Sequence, residues 1–310
     1  MTIVDPDHLP RHTRTEAAAY VIAQFRALGL ELPSRLVEMH RVLSRGYVPS
    51  EDSDFFTALE SLRELHQLLF IFEQLRIHRN NPQFRNVVKH LLNDSALPQH
   101  DLKNSPGRDK QFELYLAAIC QNAGLVPVDY EEPDVTCFID GIKFGIAAKR
   151  LKSRNTSQLE KHVRKGANQL KQQGLPGIVA LDLSLSRNQS NRPIISQVQS
   201  QMYLMIADAK NRQFREKHGD HIRRWVAGTG VRAVLIIEST LCLRPDRQWW
   251  HYGMISWVPT TLDDEQADPL FEAFYARFLK GVPNLDDSGK HGYFAGVRSS
   301  NSSSEAPNAC

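Results

Sequence analysis

Residues 133–153, which read PDVTCFIDGIKFGIAAKRLKS, decide the fold. Two apolar segments flank Asp140-Gly141, a dipeptide that favours a two-residue turn between antiparallel strands. Such a hairpin pairs Asp134 with Ala147. Because successive side chains of a strand point to opposite faces, Asp134, Ala147 and Lys149 are predicted to share one face. The stretch therefore predicts an aspartate and a lysine close together on a hydrophobic hairpin, with an alanine beside them.

Outside the hairpin, the spacing of apolar residues predicts an α/β fold with a mixed sheet and helices on both of its faces. The hairpin strands cover residues 134–140 and 142–151. Further strands are predicted over 125–130, 177–183, 231–239 and 248–258. Helices are predicted over 107–123, 157–172, 194–226 (as one or two helices) and 268–279.

The N-terminal part of the chain has a different pattern of apolar residues. Apolar residues recur at three- and four-residue spacing without β-branched alternation, which predicts an all-helical N-terminal domain over 1–95. We expect this domain to serve dimerisation or the binding of a regulatory protein. A polar, proline-containing linker is predicted over 96–106, and a disordered polar tail over 285–310.

The composition is that of an ordinary globular protein, with 41% hydrophobic and 24% charged residues. A formal charge of +3 does not by itself indicate a nucleic-acid partner. The four cysteines form no CxxC pair, which argues against a zinc site or a disulfide framework and predicts a cytoplasmic protein. No run of about 18 apolar residues occurs, so no membrane segment is expected.

The hairpin motif resembles that of the PD-(D/E)xK nuclease superfamily, the restriction-endonuclease-like enzymes that cut phosphodiesters with a divalent metal. Pro133-Asp134 matches the first part of the motif, and Lys149 matches its lysine. The resemblance extends over roughly residues 107–240 and implies a nuclease-like domain over 107–284. It implies that Asp134 binds metal and that Lys149 orients the attacking water or stabilises the transition state.

Two further residues fit the same resemblance. Glu113 lies on the helix before the first strand, where many members carry a metal-binding glutamate. Gln169 lies on the helix after the lysine strand, where members often place a polar residue near the site. The resemblance therefore implies Mg²⁺ or Mn²⁺ as cofactor, with Asp134 and Glu113 as ligands and Gln169 as a member of the catalytic site.

Ala147 departs from the family pattern, which requires aspartate or glutamate at this catalytic position. A methyl group offers no ligand to Mg²⁺, so this chain is expected to be inactive or strongly impaired. The alanine is either a deliberate inactivating substitution or the mark of a naturally degenerate nuclease. The presence of Asp134, Lys149 and Glu113 favours the first interpretation, under which glutamate at position 147 would give cleavage.

A basic run follows the motif. Between residues 149 and 171 eight lysines and arginines accompany a single acid, Glu160. Such an imbalance beside a cleavage site favours contact with phosphates, although many charge runs are only solvated helix faces. The residues predicted to bind nucleic acid are Arg150, Lys152, Arg154, Lys161, Arg164, Lys165 and Lys171. A second basic stretch, 210–224, is compatible with either reading.

The sequence thus predicts a metal-dependent endonuclease acting on DNA in a prokaryotic defence or restriction-type system, impaired in this chain by Ala147. Two alternatives stay open. One is a catalytically dead nuclease fold that binds nucleic acid or acts as a scaffold subunit. The other is an RNA-cleaving nuclease, because a metal site that attacks phosphodiesters does not select the sugar.

Overall fold

A computed structural model describes residues 11–44, 53–91, 93–101, 105–190, 194–195, 200–243, 249–260, 268–283 and 290–291. The predicted tail over 285–310 lies outside these residues except for 290–291. No helix in the described part of the chain is long and apolar enough to cross a membrane.

The helices described come in two groups. Those before residue 95 are α1 (Arg11–Ala27), α2 (Ser34–Ser44), α3 (Ser53–Gln74) and α4 (Pro82–Lys89). Those after it are α5 (Pro106–Asn122), α6 (Thr156–Gln173), α7 (Ser184–Arg187), α8 (Ser200–Val226) and α9 (Pro269–Gly281). Asp268 begins α9 by accepting hydrogen bonds from the N–H groups of Leu270 and Phe271.

The strands are β1 (Val135–Ile139), β2 (Ile142–Arg150), β3 (Gly177–Asp182), β4 (Ile194–Ile195), β5 (Val231–Leu243), β6 (Trp249–Pro259) and β7 (Lys290–His291). They form one sheet in the order β1-β2-β3-β5-β6-β7, and β4 pairs with β5. The strand pairs β2–β3 and β3–β5 are parallel, whereas β1–β2 and β5–β6 are antiparallel. The prediction of an α/β fold with a mixed sheet is confirmed.

The hairpin has the predicted register. Ile139 pairs with Ile142 and Val135 with Ile146, so the next position along places Asp134 at the level of Ala147. Asp140 and Gly141 have φ values of 48° and 84°, the positive values that a type I′ turn requires of both its central residues. The turn residues therefore fixed the faces on which the site residues lie.

The strand predicted over 125–130 is wrong. In the structure this segment contributes only an isolated bridge between Asp129 and Thr136. Pro127 has no N–H to donate to a strand ladder, so the segment does not extend the sheet, although Leu125 and Val128 are buried in the core and Val126 between them is 46% exposed.

Each face of the sheet packs against its own helices. On one face, Phe144, Ile146 and Ala148 contact a core that includes residues of α5 and α9, and the Phe144 and Phe274 rings stack at 4.7 Å. On the other face, Ala147 and Val179 pack beneath α6 and α8. The core of the first face continues without a break into α1–α4. The division of the chain at residue 95 stays a prediction.

A buried ionic network joins the N-terminal helices to α5. Glu64 of α3 lies between two arginines, with 3.3 Å to Nε of Arg35 and 3.0 Å to Nε of Arg108. Asp94 accepts hydrogen bonds from the backbone N–H groups of Gly107 and Arg108 and so caps the first turn of α5. Removal of one member would leave the others charged and buried without their partners, which is energetically costly. The network therefore fixes α5, which carries Glu113, against α3.

Candidate active site

Asp134 and Lys149 form the centre of the candidate site. The Asp134 carboxylate lies 2.5 Å from the Lys149 ammonium and accepts a hydrogen bond of 2.9 Å from the N–H of Ala148. Lys149 also donates to the carbonyl oxygen of Ala148 at 2.9 Å. Both side chains are largely buried, at 13% and 8% exposure. Burial raises the pKa of Asp134, and the Lys149 charge offsets only part of this effect.

Glu113 approaches the same centre from α5. Its side chain is 12% exposed and accepts a hydrogen bond from Lys110, one turn earlier, at 2.7 Å. Burial raises the pKa of Glu113 to about 7, and the neighbouring Asp134 carboxylate contributes to the shift. The two carboxylates come from different elements and lie near enough to repel each other in the absence of a cation.

The raised pKa of Glu113 makes stability depend on pH. The folded protein holds this proton more tightly than the unfolded chain, so the stabilisation is complete below pH 4.5 and is lost as the pH rises through 7. We expect wild-type protein to lose roughly 2 to 3 kcal/mol between pH 5 and pH 8 relative to Glu113→Gln. Urea denaturation at both pH values measures this difference. The control is Glu132→Gln, which removes an exposed carboxylate nearby; equal slopes for wild type and Glu113→Gln would contradict the prediction.

Gln169 of α6 reaches the site from the opposite side. Its Nε2 donates to Glu132 at 2.8 Å and lies 3.5 Å from Oδ1 of Asp134. The sequence analysis missed Glu132, although it directly precedes Pro133-Asp134. Its carboxylate also acts on the pKa of Lys110. Gln169 thus connects the two carboxylates that flank Pro133.

Ala147 is completely buried under α6. A Cβ added to Gly166 of α6 would lie 3.1 Å from the Ala147 Cβ and 3.0 Å from both methyl groups of Val179. Such spacing is at the limit of van der Waals contact, so the helix reaches the sheet only because both residues are small. A side chain larger than alanine at position 147 would therefore crowd Gly166 and Val179. This packing favours a naturally degenerate site over a carboxylate deleted from an unchanged one.

The structure divides the seven predicted nucleic-acid-binding residues. Arg150 points to the other face of the sheet and pairs with Asp182 at 2.9 Å. Arg154 donates to the carbonyl oxygens of Ser186 and Arg187 at 3.0 and 2.6 Å. Lys152 is half-buried beside Asp109, with its pKa lowered by burial. The four that remain lie exposed on α6: Lys161, Arg164, Lys165 and Lys171.

His162 is a second residue that the sequence analysis missed. Burial lowers its pKa, and Lys149, Lys161 and Lys165 lower it further. Its Nδ1 is buried and has no hydrogen-bond partner among the residues described. The positive charges of these lysines create a positive potential that extends from the candidate centre onto α6. Lys161 and Lys165 are neighbours of His162 on α6, but Lys149 comes near only through the packing of α6 on β2, which no local sequence pattern signals.

The donors at the centre are suited to a hard divalent cation. Mg²⁺ is commonly held by one or two carboxylates together with water and substrate oxygens, and Asp134 and Glu113 supply two. Their mutual repulsion is what a bound cation would relieve. The part of the chain that the structure describes contains no group of three or more His, Cys, Asp or Glu side chains arranged to hold a metal.

No family model, curated protein sequence or solved structure matches this chain. The side chains of the centre therefore carry the functional interpretation. They form a buried group of two acids, Asp134 and Glu113, and two bases, Lys149 and Lys110, next to a basic helix.

Proposed function

We propose that the protein is a metal-dependent nuclease that binds a nucleic-acid strand along α6 and hydrolyses a phosphodiester beside Lys149. The single observation that carries this proposal is the convergence of Asp134 and Glu113 next to Lys149. Buried acids whose pKa values are raised by burial, beside a lysine, are typical of sites that work on charged substrates. If Asp134 and Lys149 formed only a structural ion pair, the site would not need a second carboxylate, that of Glu113 on α5.

Asp134 and Glu113 would hold the divalent metal, Mg²⁺ or Mn²⁺. When bound, it would supply charge neutralisation and a water of lowered pKa. Lys149 supplies an ammonium group at the same place, where it stabilises negative charge that develops on the phosphate oxygens. Lys110 keeps Glu113 oriented, and Gln169 keeps Asp134 oriented through a polar contact from α6. These residues act as one group because α5, β1, β2 and α6 all meet there.

Exposed positive charge supports the nucleic-acid side of the proposal. Lys161, Arg164 and Lys165 lie along α6 on the side of the sheet that holds Lys149. Among the residues that the structure describes, Arg164 alone of the three pairs with an acid, Glu160. Phosphate contacts of this kind give salt-dependent affinity for either DNA or RNA. DNA as substrate and a role in prokaryotic defence follow from the motif resemblance. A dimer or a regulatory partner bound through residues 1–95 follows only from the helical pattern of that segment.

A cytoplasmic location completes the proposal. Cys120 of α5 and Cys137 of β1 are both buried and both reduced, and burial together with Cys137 raises the pKa of the Cys120 thiol. Neighbouring thiols that stay reduced are typical of proteins in a reducing compartment.

A second candidate function is nucleic-acid binding without cleavage. It is favoured by the packing of Ala147 against Gly166, which leaves position 147 without a carboxylate. The charge of the centre also favours it, because Lys149 and Lys110 balance Asp134 and Glu113 and so weaken the attraction of the centre for a cation.

Cleavage assays separate the two functions. Supercoiled plasmid and labelled single-stranded RNA are incubated with the protein in Mg²⁺, in Mn²⁺ and with a chelator. The matched variants are Asp134→Asn and Asp140→Asn, which remove a carboxylate from opposite ends of the same hairpin. Metal-dependent cleavage that is lost only in Asp134→Asn supports the nuclease. Salt-dependent binding without cleavage supports the second candidate, and absence of both refutes both.

A further inference from the structure

A cavity lies beyond the candidate centre, at the carboxyl ends of β2 and β3. Its volume is about 360 Å³, and Leu151, Leu183 and Leu159 form its apolar floor. The start of α6, the short helix α7 and the middle of α8 form its walls. Pockets of this size and position, at the ends of parallel strands, commonly bind small molecules.

The wall of this cavity is basic. The charged side chains that line it are all cationic at low pH and include no acid: Arg154, Arg187, Lys210, Lys217 and His218. Arg187 pairs with Glu238 and Asn211, and Arg154 with backbone carbonyls. Lys210 and Lys217 are exposed and form no ion pair within the described part of the chain. The cavity therefore carries positive charge that its own residues do not neutralise.

Two further features point to an anionic group as the occupant. The 18-residue helix α6 begins at the cavity, where Asn155 caps its first turn and the free N–H groups favour negative charge. His218 lines the cavity and is only 9% exposed, and its Nδ1 has no hydrogen-bond partner among the described residues. This ring nitrogen is a polar atom in the cavity wall that is available to a bound ligand.

An aromatic surface lies in the same cavity. The Phe214 and His218 rings are 4.9 Å apart, and the Arg187 guanidinium lies 5.6 Å above the Phe214 ring. Aromatic rings beside cationic groups provide a place for a nucleobase to stack. A phosphate site and a stacking site within one cavity together match a single nucleotide.

The cavity also adjoins the candidate centre. Leu151 follows Lys149 by two residues and lies on the same side of the sheet, so their Cα atoms are separated by roughly 7 Å. We propose that this cavity binds one nucleotide, with its phosphate at Lys210, Lys217 and the start of α6. This inference deepens the proposed function, because the nucleotide would be a neighbour of the phosphodiester at Lys149, or a free nucleotide of the same chemistry.

Binding is tested on the full chain without metal, so that the result does not depend on cleavage. The probes are adenosine 5′-monophosphate, measured by calorimetry, and a short thymidine oligonucleotide with or without a 5′-phosphate, measured by fluorescence anisotropy. Lys217→Glu reverses a charge in the cavity. Arg212→Glu is the matched control, since Arg212 is an exposed base of the same helix that does not line the cavity.

We expect Lys217→Glu to weaken binding by about tenfold or more, the effect of losing one charge-assisted contact, and Arg212→Glu to weaken it less than about threefold. Affinity for the monophosphate identifies a free nucleotide as the ligand. Affinity only for the 5′-phosphorylated oligonucleotide, with the same dependence on Lys217, identifies the end of a strand. No binding of any probe, or equal losses in both variants, overturns the proposal. Asp134→Asn should leave this binding unchanged while it removes cleavage, so the two proposals fail separately.

Discussion

Replacement of Lys149 by methionine is expected to lower metal-dependent cleavage by roughly a hundredfold to a thousandfold, the effect of removing one group that stabilises charge in a transition state. Methionine keeps most of the length of the lysine side chain but removes its ammonium, which lies 2.5 Å from Asp134 and faces the proposed phosphate position. Initial rates on plasmid and on RNA at saturating Mn²⁺ measure the loss.

The matched control is Lys143→Met, which makes the same change on β2 at the turn end of the hairpin, away from the centre. It should cleave within about twofold of wild type. Because Asp134 is left buried without its partner, Lys149→Met should also be less stable, and rates are compared at a temperature where both variants are folded. Lys149→Arg separates charge from shape. A Lys149→Met protein that cleaves as fast as wild type would remove Lys149 from the mechanism.

Replacement of Ala147 by glutamate is expected to destabilise the protein by roughly 3 to 5 kcal/mol and to give no gain in cleavage. The glutamate side chain would have to displace Gly166 of α6 or Val179 of β3, and it would add a second buried carboxylate beside the Asp134–Lys149 pair. Chemical denaturation of both proteins measures the difference in the free energy of unfolding.

Ile142→Glu provides the control for this change. Ile142 is on the same strand but is 47% exposed, so the same carboxylate there should cost less than about 1 kcal/mol. The contrary outcome is informative. An Ala147→Glu protein that is as stable as wild type and cleaves faster would show that a carboxylate fits the site. It would support the interpretation of the alanine as an inactivating substitution.

Turn geometry and the alternation of side chains along a strand were sufficient to predict the centre of the hairpin. A dipeptide with positive φ at both positions fixed the register, and alternation then placed Asp134, Ala147 and Lys149 on one side of the sheet. The same alternation puts Arg150 with Ala148 on the other face. The prediction that Arg150 binds nucleic acid stays open. The ion pair of Arg150 with Asp182 shows that the basic residues of this run do not all lie on one surface. A strand divides its charges between two faces.

Other features depend on contacts between distant parts of the chain. His162 is unremarkable in sequence, and only the packing of α6 on β2 places it near Lys149. The tight contact of Gly166 with Ala147 likewise joins residues on different elements, so the reason for the alanine lies in the helix and not in the motif. The segment 125–130 shows the reverse case, in which an apolar pattern predicted a strand that Pro127 could not complete.

Asp134 and Glu113 together are proposed to form a site for one divalent cation. Titration of Mn²⁺ followed by electron paramagnetic resonance counts bound ions directly and needs no substrate. At pH 8, where Glu113 is deprotonated, we expect one ion per chain for wild type and for Asp140→Asn, and at least tenfold weaker binding for Asp134→Asn and for Glu113→Gln. Binding to wild type should weaken at pH 6. Absence of saturable binding to wild type, or equal binding by Asp134→Asn, would contradict the account.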